Sequence, residues 1–190
     1  KLPENSKVAT SSNRRRAQIL KMNPKIKVIS IRGNIDTRIK KLDDGYCDGI
    51  VLASAGLQRL QMLNRVSNYF NDEEMLNAPA QGAIAVETRN SGKIKELVSK
   101  LDHPNTRLCV LQERLFLKTL MGGCTSPIGA YAKIDKNVIS LKGSVLSLDG
   151  KKSITKELKR EYNTSDIGVD LAHSILNNGG DKILTDTRSK

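Results

Sequence analysis

The first sixty residues alternate short apolar, β-branched runs with stretches of helical character, and this alternation limits the possible folds most. Strands are predicted at 8–11, 26–31 and 50–53, and helices at 13–22, 35–42 and 55–63. Strands that alternate with helices of this length form βαβ units around a mainly parallel sheet. Ligands of such sheets bind at the carboxyl ends of the strands, where the helices begin. A binding site is therefore expected at the strand-to-helix junctions.

The pattern changes after residue 77. A strand is predicted at 82–87, helices at 93–101 and 106–120, strands at 129–134, 138–146 and 153–160, and a helix at 165–176. Asp149-Gly150 between the last two strands is a strong hairpin signal. Gly179-Gly180 is expected to end the last helix. These signals predict an α+β unit with an antiparallel sheet.

The formal net charge of +12 indicates an anionic partner, although part of the excess is ordinary surface lysine. Nucleic acid is the commonest partner of such a chain, but only 3% of residues are aromatic, so stacking platforms are scarce. The core should be mostly aliphatic for the same reason. A membrane surface would require a basic amphipathic helix, which the sequence lacks. We therefore expect a small polyanionic substrate, with neither nucleic acid nor membrane as partner.

Three cysteines form an odd set without a C-x-x-C pair, which argues against a disulfide framework and against a zinc site. Cys47, beside a predicted strand, and Cys109, on an apolar helix face, are interpreted as core residues. Cys124 follows Gly122-Gly123 and precedes Thr125-Ser126-Pro127, a loop composition that leaves the thiol accessible. No metal ligand set is predicted.

Arginines follow each of the first three predicted strands. Ser12 can cap the first helix, whose start carries Arg14 and Arg15. Arg32 and Arg38 lie on either side of the second junction, and Arg59 follows the third strand. Arginine's planar fork matches carboxylates and stays protonated. The pattern predicts a cleft for several carboxylates; ordinary capped helices with solvated basic turns are the structural alternative.

The histidines give no catalytic pattern. His103, before Pro104, is expected at a helix entry, and His173 in a late amphipathic helix is expected to be structural. The sequence has no Ser-His-Asp pattern, H-E-x-x-H motif, Walker loop or G-x-G-x-x-G loop.

Five motifs occur together and in order along the chain. They are Thr10-Ser11-Ser12-x-Arg14-Arg15, Ile31-Arg32-Gly33-Asn34-x-x-Thr37-Arg38, Ala53-x-Ala55-Gly56-Leu57-x-Arg59-Leu60, Gln81-Gly82-Ala83 and Gly122-Gly123-Cys124-x-x-Pro127-Ile128-Gly129. This set of motifs resembles one family, hydroxymethylbilane synthase, also called porphobilinogen deaminase. The resemblance covers essentially the whole chain.

The resemblance implies a transferase of tetrapyrrole biosynthesis that condenses four porphobilinogen molecules head to tail into hydroxymethylbilane, with loss of ammonia. It also implies a dipyrromethane cofactor linked to Cys124 through a thioether. The residues that match the family's carboxylate contacts to cofactor and substrate are Arg14, Arg15, Arg32, Arg38 and Arg59, with Ser12 and Gln81 as lesser contacts. The family's catalytic aspartate lies in an N-terminal domain, and no acid of this chain matches it.

The resemblance also implies a domain plan. Residues 1–77 correspond to a partial, periplasmic-binding-protein-like central domain, 78–101 to a returning segment of a first domain, and 102–190 to a C-terminal cofactor-anchoring α+β domain. Such a chain, lacking most of the first domain, is expected to be inactive alone, and a monomer is expected. The Pro79-Ala80-Gln81-Gly82 form resembles plastid versions, so a cytoplasmic or plastid location is expected. Ala9 and Asn13 replace a Gly and a Leu common in the family, and neither change removes a charge.

Two alternatives remain open. A carboxylate-binding module of similar fold without catalysis would leave the accessible Cys124 unexplained. A basic nucleic-acid-binding protein would show steeply salt-dependent DNA affinity and carry no covalent adduct.

Overall fold

The computed structural model describes residues 2–123, 125–162 and 166–188. The strands are β1 (Lys7–Ala9), β2 (Lys27–Ile29), β3 (Gly49–Ile50), β4 (Ile128–Asp135), β5 (Val138–Leu146) and β6 (Ser153–Glu161). The helices are α1 (Asn13–Met22), α2 (Ile35–Asp43), α3 (Ser54–Arg59), α4 (Lys93–Ser99), α5 (Pro104–Thr119), α6 (Ile167–Ile175) and α7 (Asp181–Arg188). A short 3-10 turn follows α3 at Leu63–Arg65.

The N-terminal part forms the predicted parallel sheet. Within the described residues its strand order is β2-β1-β3, so β1 is central and β2 lies at an edge. β3 is shorter than predicted because it pairs only with Val8 and Ala9, where β1 ends. The following helix, α3, is also shorter and ends at Arg59.

The C-terminal part forms the predicted antiparallel sheet, with the order β4-β5-β6 in the portion described. The hairpin between β5 and β6 is closed by a 2.8 Å bond from the Ser147 amide to the Lys152 carbonyl. Gly150 adopts a φ of +72° in this turn, a left-handed conformation that favours glycine. The Asp149-Gly150 hairpin is therefore confirmed.

The main core lies between this antiparallel sheet and the helices α5, α6 and α7. Its fully buried members include Phe116, Leu141, Leu171 and Ile175. The parallel sheet contributes smaller clusters, one around Val8, Ile19 and Met75 and another around Ala9, Ile31 and Cys47. The cores are mostly aliphatic, as composition predicts, with Phe116 as a central aromatic exception.

Two segments differ from the sequence predictions. Residues 82–87 form no strand, because no strand of the described chain pairs with them, and Ile84 is 93% exposed. At the carboxyl end, the expected break occurs at Gly179, whose φ is +94°. The chain then resumes as α7, a helix that is not among those predicted from the sequence.

The link between the two sheets packs against both of them. Leu76 bonds to the Gln18 side chain through both its amide and its carbonyl, at 2.8 and 3.1 Å. The Asn77 carbonyl accepts a 3.0 Å bond from the Ala130 amide of β4. Segment 76–81, named the strap below, is therefore held by α1 on one side and by the antiparallel sheet on the other.

Candidate carboxylate-binding site

The helices of the parallel unit begin beside one another at the carboxyl edge of the sheet. Ser12 caps α1 by accepting a 3.4 Å bond from the Arg15 amide, and Asn34 caps α2 through a 2.9 Å bond from the Thr37 amide. Both caps have extended backbone, which turns the chain from strand into helix. The capping role predicted for Ser12 is confirmed.

These helix starts surround an open cleft of about 460 Å³. Arg15 from α1, Arg38 from α2 and Arg59 from α3 all line it, together with the apolar side chains of Leu52 and Leu60. Three consecutive strand-to-helix junctions therefore place arginine around one space, as the sequence pattern predicts. Asp36 also lines the cleft, but the three arginines outnumber this carboxylate, and the apolar walls between the arginines suit flat organic anions.

Arg15 and Arg38 are held in place by backbone carbonyls. The Arg15 Nη1 donates a 2.7 Å bond to the Val51 carbonyl, and the Arg38 Nε donates a 2.8 Å bond to the Gly33 carbonyl. Burial lowers the pKa of Arg15, and the positive charge of Arg38 lowers it further. The two guanidinium groups therefore repel each other across the cleft.

Arg14 and Gln81 lie together outside the cleft lining. Arg14 is buried and donates to the Leu76 carbonyl and, at 3.1 Å, to the Gln81 Oε1. Burial lowers the pKa of Arg14 to about 10, with a smaller contribution from Arg15. Of the five N–H donors of a guanidinium, these two bonds use two.

Arg32 is exposed and lies outside the residues that line the cleft. Its backbone carbonyl accepts a 3.3 Å bond from the Lys41 Nζ. The structure thus separates the sequence-predicted arginines into a cleft group, a buried residue paired with Gln81, and an exposed residue in the loop between β2 and α2.

Across residues 2–123, 125–162 and 166–188, the ion pairs involve none of these arginines. The same ranges contain no cluster of His, Cys, Asp or Glu that could hold a metal ion. Arginines that are gathered without carboxylate partners from the protein offer their charge to a ligand.

Cys124, the predicted anchor, lies outside the described residues. Its neighbours form a turn in which the Gly123 amide donates a 3.1 Å bond to the Ser126 Oγ. The Thr125 carbonyl accepts a 2.8 Å bond from the Asn13 Nδ2, one residue before Arg14. The described residues on both sides of position 124 therefore pack close to the start of α1.

The other cysteines match the sequence interpretation. Cys47 is buried in a small cluster of the parallel unit, and Cys109 is half-buried against the main core. Burial is the largest cause of a raised pKa in both thiols. Both are therefore less reactive than an accessible thiol at neutral pH.

The histidines are placed as expected. His103 caps α5, with its Nδ1 accepting a 3.3 Å bond from the Thr106 amide. His173 lies on the exposed face of α6.

In the part of the chain that is described, no helix is long and apolar enough to cross a membrane.

Two polar residues with no role predicted from the sequence, Ser11 and Glu113, form several buried or half-buried hydrogen bonds near the site. The Ser11 hydroxyl bonds to the Ser30 Oγ at 2.8 Å, to the Ile31 carbonyl at 2.6 Å and to the Ile31 amide at 3.1 Å, which joins the first two junctions. Glu113 on α5 is buried, and its carboxylate accepts bonds from the Ala80 and Ala132 amides at 2.6 and 2.7 Å. The available signal was the polar pair Gln112-Glu113 inside the apolar run of α5.

Two models of one protein family match the chain. Residues 1–96 match the family model described as "Porphobilinogen deaminase, dipyromethane cofactor binding domain", and residues 107–177 match "Porphobilinogen deaminase, C-terminal domain". The first model covers the arginine-bearing unit, whereas Cys124 falls within the second.

Relatives carry the same name. The chain is 41% identical over 192 residues to the porphobilinogen deaminase of Chlorobaculum tepidum, and 42% identical over 193 residues to that of Chlorobium limicola. It is 42% identical over 190 residues to the porphobilinogen deaminase of Thermus thermophilus. The alignments cover 98% of this chain and 62%, 62% and 63% of the respective relatives. On the matched domains and this identity, the chain belongs to the porphobilinogen deaminase family.

Proposed function

We propose that this chain supplies the carboxylate-binding and cofactor-anchoring parts of a porphobilinogen deaminase, which condenses four porphobilinogen molecules into hydroxymethylbilane with loss of ammonia. The observation that carries the proposal is the cleft between α1, α2 and α3. There Arg15, Arg38 and Arg59 converge, and none of them forms an ion pair within the described residues. Each pyrrole of the product carries an acetate and a propionate, so several cations at one cleft suit it.

The donor set fits a dipyrromethane. When bound, this group would supply a pyrrole carbon to which the first substrate is joined. Its carboxylates suit bidentate contacts from Arg15 and Arg38, whose orientations are fixed by the Val51 and Gly33 carbonyls. Leu52 and Leu60 offer apolar surface to the ring faces.

Cys124 is the residue proposed to hold the cofactor through a thioether. A thiolate is a good nucleophile toward the electrophilic carbon formed when porphobilinogen loses ammonia. The Asn13–Thr125 bond supports this role, because it keeps the adjoining turn beside the helix that carries Arg14 and Arg15. The other described thiols are buried or half-buried.

Carboxylate-binding roles are also proposed for Arg14, Arg32, Ser12 and Gln81. Arg14 and Gln81 act as a pair, since Gln81 accepts one of the Arg14 donors at 3.1 Å. Arg32 is exposed, so its head is free to follow a growing chain beyond the cleft. Ser12 supports the site by capping α1.

We propose the domain plan 1–77, 78–101 and 102–190, with the middle segment returning to a first domain that also supplies the catalytic aspartate. The chain spans about 62% of the length of the relatives that it matches. The exposure of Ile84, Ile94, Leu97 and Leu101 supports this plan, because these side chains form an apolar surface on 82–101. The 190 residues alone are then expected to show no turnover.

Intact mass of the full-length protein tests the function. The expected result is a covalent addition of two pyrrole units, a colour with an aldehyde reagent for pyrroles, and turnover of porphobilinogen. Cys124→Ser should abolish all three, whereas the matched change Cys109→Ser should retain them. An unmodified, colourless and inactive full-length protein that still binds carboxylates would favour a non-catalytic binding module instead.

A further inference from the structure

Glu113 is a buried carboxylate to which the proposed chemistry assigns no role. It projects from α5 and is only 6% exposed. Its Oε2 accepts a 2.6 Å bond from the Ala80 amide, and its Oε1 accepts a 2.7 Å bond from the Ala132 amide of β4. One side chain therefore ties the strap to the antiparallel sheet.

The strap has a constrained backbone at the point that Glu113 holds. Ala80 adopts a φ of +67°, a left-handed conformation that is costly for a residue with a Cβ. Such a conformation persists where surrounding bonds over-determine it. A charge-assisted bond to the Ala80 amide is a bond of this kind.

Gln81, the next residue, links the constrained peptide at Ala80 to Arg14. The Gln81 Oε1 accepts bonds from the Arg14 Nη2 at 3.1 Å and from the Ala78 amide at 3.3 Å. Arg14 also donates to the Leu76 carbonyl, at the other end of the same strap. A continuous path of bonds thus runs from Glu113 through the Ala80 peptide and Gln81 to Arg14.

We propose that Glu113 is a positioning residue for carboxylate binding, which holds Gln81 against the Arg14 guanidinium by fixing the peptide at Ala80. The role rests on the proposed function, since Arg14 and Gln81 belong to the proposed binding site. Burial raises the pKa of the Glu113 carboxyl, while the bonds from Ala80 and Ala132 oppose that rise.

The adjacent residue provides a matched control. Gln112 is 5% exposed on the same helix, and its Oε1 likewise accepts a backbone bond, at 3.0 Å from the Gly168 amide. That bond leads to α6, away from the strap. Loss of either acceptor disturbs a buried amide, but only Glu113 connects to Gln81 and Arg14.

The first measurement is hydrogen exchange of the full-length protein over 78–82. Glu113→Gln is expected to speed exchange there by about tenfold, because the Ala80 amide loses a charge-assisted bond. Gln112→Met should leave this segment unchanged and speed exchange at Gly168. Glu113→Asp, which keeps the charge but shortens the reach, should give the same change at 78–82 if Glu113→Gln does not fold.

The second measurement is a double-mutant cycle in porphobilinogen turnover. Glu113→Gln and Gln81→Met should each raise KM about tenfold, and together they should do little more than one alone, because both act on Arg14. Gln112→Met should change KM less than twofold, even with a similar loss of Tm.

Unchanged exchange at 78–82 in both Glu113 variants would overturn the inference, as would fully additive effects on KM. A wild-type protein without pyrrole adduct or turnover would overturn the proposed function instead. The exchange measurement distinguishes these failures, because it does not depend on activity.

Discussion

The parallel and antiparallel units stabilise themselves to different degrees and hold different chemistry. The antiparallel unit packs Phe116, Leu141 and Leu171 fully into one large core. The parallel unit has only small clusters, and it uses polar bonds such as those of Ser11 to join its junctions. Yet the parallel unit carries the arginines of the cleft. The antiparallel unit therefore supplies most of the buried apolar packing. The parallel unit has less of this packing and carries the cationic side chains of the cleft.

The same substitution in each core should show the largest difference. Ile139, in β5, and Ile19, in α1, are 1% and 3% exposed. We expect Ile139→Ala to cost about 4 kcal/mol of unfolding free energy and Ile19→Ala about 2 kcal/mol, because fewer apolar neighbours surround Ile19. Urea unfolding followed by circular dichroism measures both. Equal costs would show that the parallel unit is as well packed as its partner.

A second comparison concerns the contact between the units. A Cβ on Gly150 would lie 2.5 Å from both the Ala17 carbonyl and the Lys21 amide of α1, whereas one on Gly45 would meet nothing within 4 Å. Both glycines have positive φ, so each alanine should cost about 1 kcal/mol of conformational strain. Gly150→Ala should cost about 1–2 kcal/mol more, from overpacking between the units. Thermal unfolding of the two variants tests this, and similar Tm values would contradict a close contact.

A third comparison concerns charge in the cleft. Arg38→Met in the full-length protein should raise the KM for porphobilinogen about tenfold, because a charge-assisted contact to carboxylate is lost. The KM of Arg38→Lys should lie between those of the wild type and of Arg38→Met, since lysine keeps the charge but not the planar fork. The control is Arg65→Met, which removes an arginine that pairs with Asp43 in the same unit. Steady-state kinetics in which the control has the same effect would refute a local role.

The smallest effect is expected on the exposed segment between the units. In the 190-residue chain, Ile84→Ser should change the unfolding free energy by less than about 0.5 kcal/mol, because Ile84 is 93% exposed. In the full-length protein the same change should destabilise by about 1–3 kcal/mol if a first domain covers this side chain. Urea unfolding of the wild type and of Ile84→Ser, in both the 190-residue chain and the full-length protein, measures the two effects. An equal effect in the two proteins would count against the proposed domain plan.

Local signals predicted most of the regular elements, but they missed α7 and predicted a strand at 82–87 that does not form. Helix α1 has the predicted bounds, because Ser12 caps it and Pro24 follows its end, and β5 also has its predicted bounds. The alternation of strands and helices predicts Arg15, Arg38 and Arg59 at one edge of the sheet, and the structure places all three around one cleft.

Properties that depend on distant partners were not predictable from local patterns. The run 82–87 has strand composition, but a strand forms only where another backbone offers hydrogen bonds. Arg14 and Arg15 are adjacent in sequence, and only packing against the strap separates the buried residue from the one in the cleft. The partners of Glu113 lie 33 and 19 residues away.

The repulsion between Arg15 and Arg38 has a consequence for selectivity. Because the positive charge of Arg38 lowers the pKa of Arg15, an anion that binds one of the two groups removes only part of the repulsion between them. A molecule with two carboxylates can neutralise both groups at once, with the second contact made at high effective concentration. The cleft should therefore bind ligands with several carboxylates more tightly than ligands with one. We expect citrate to raise the melting temperature of the protein far more than acetate does at equal ionic strength.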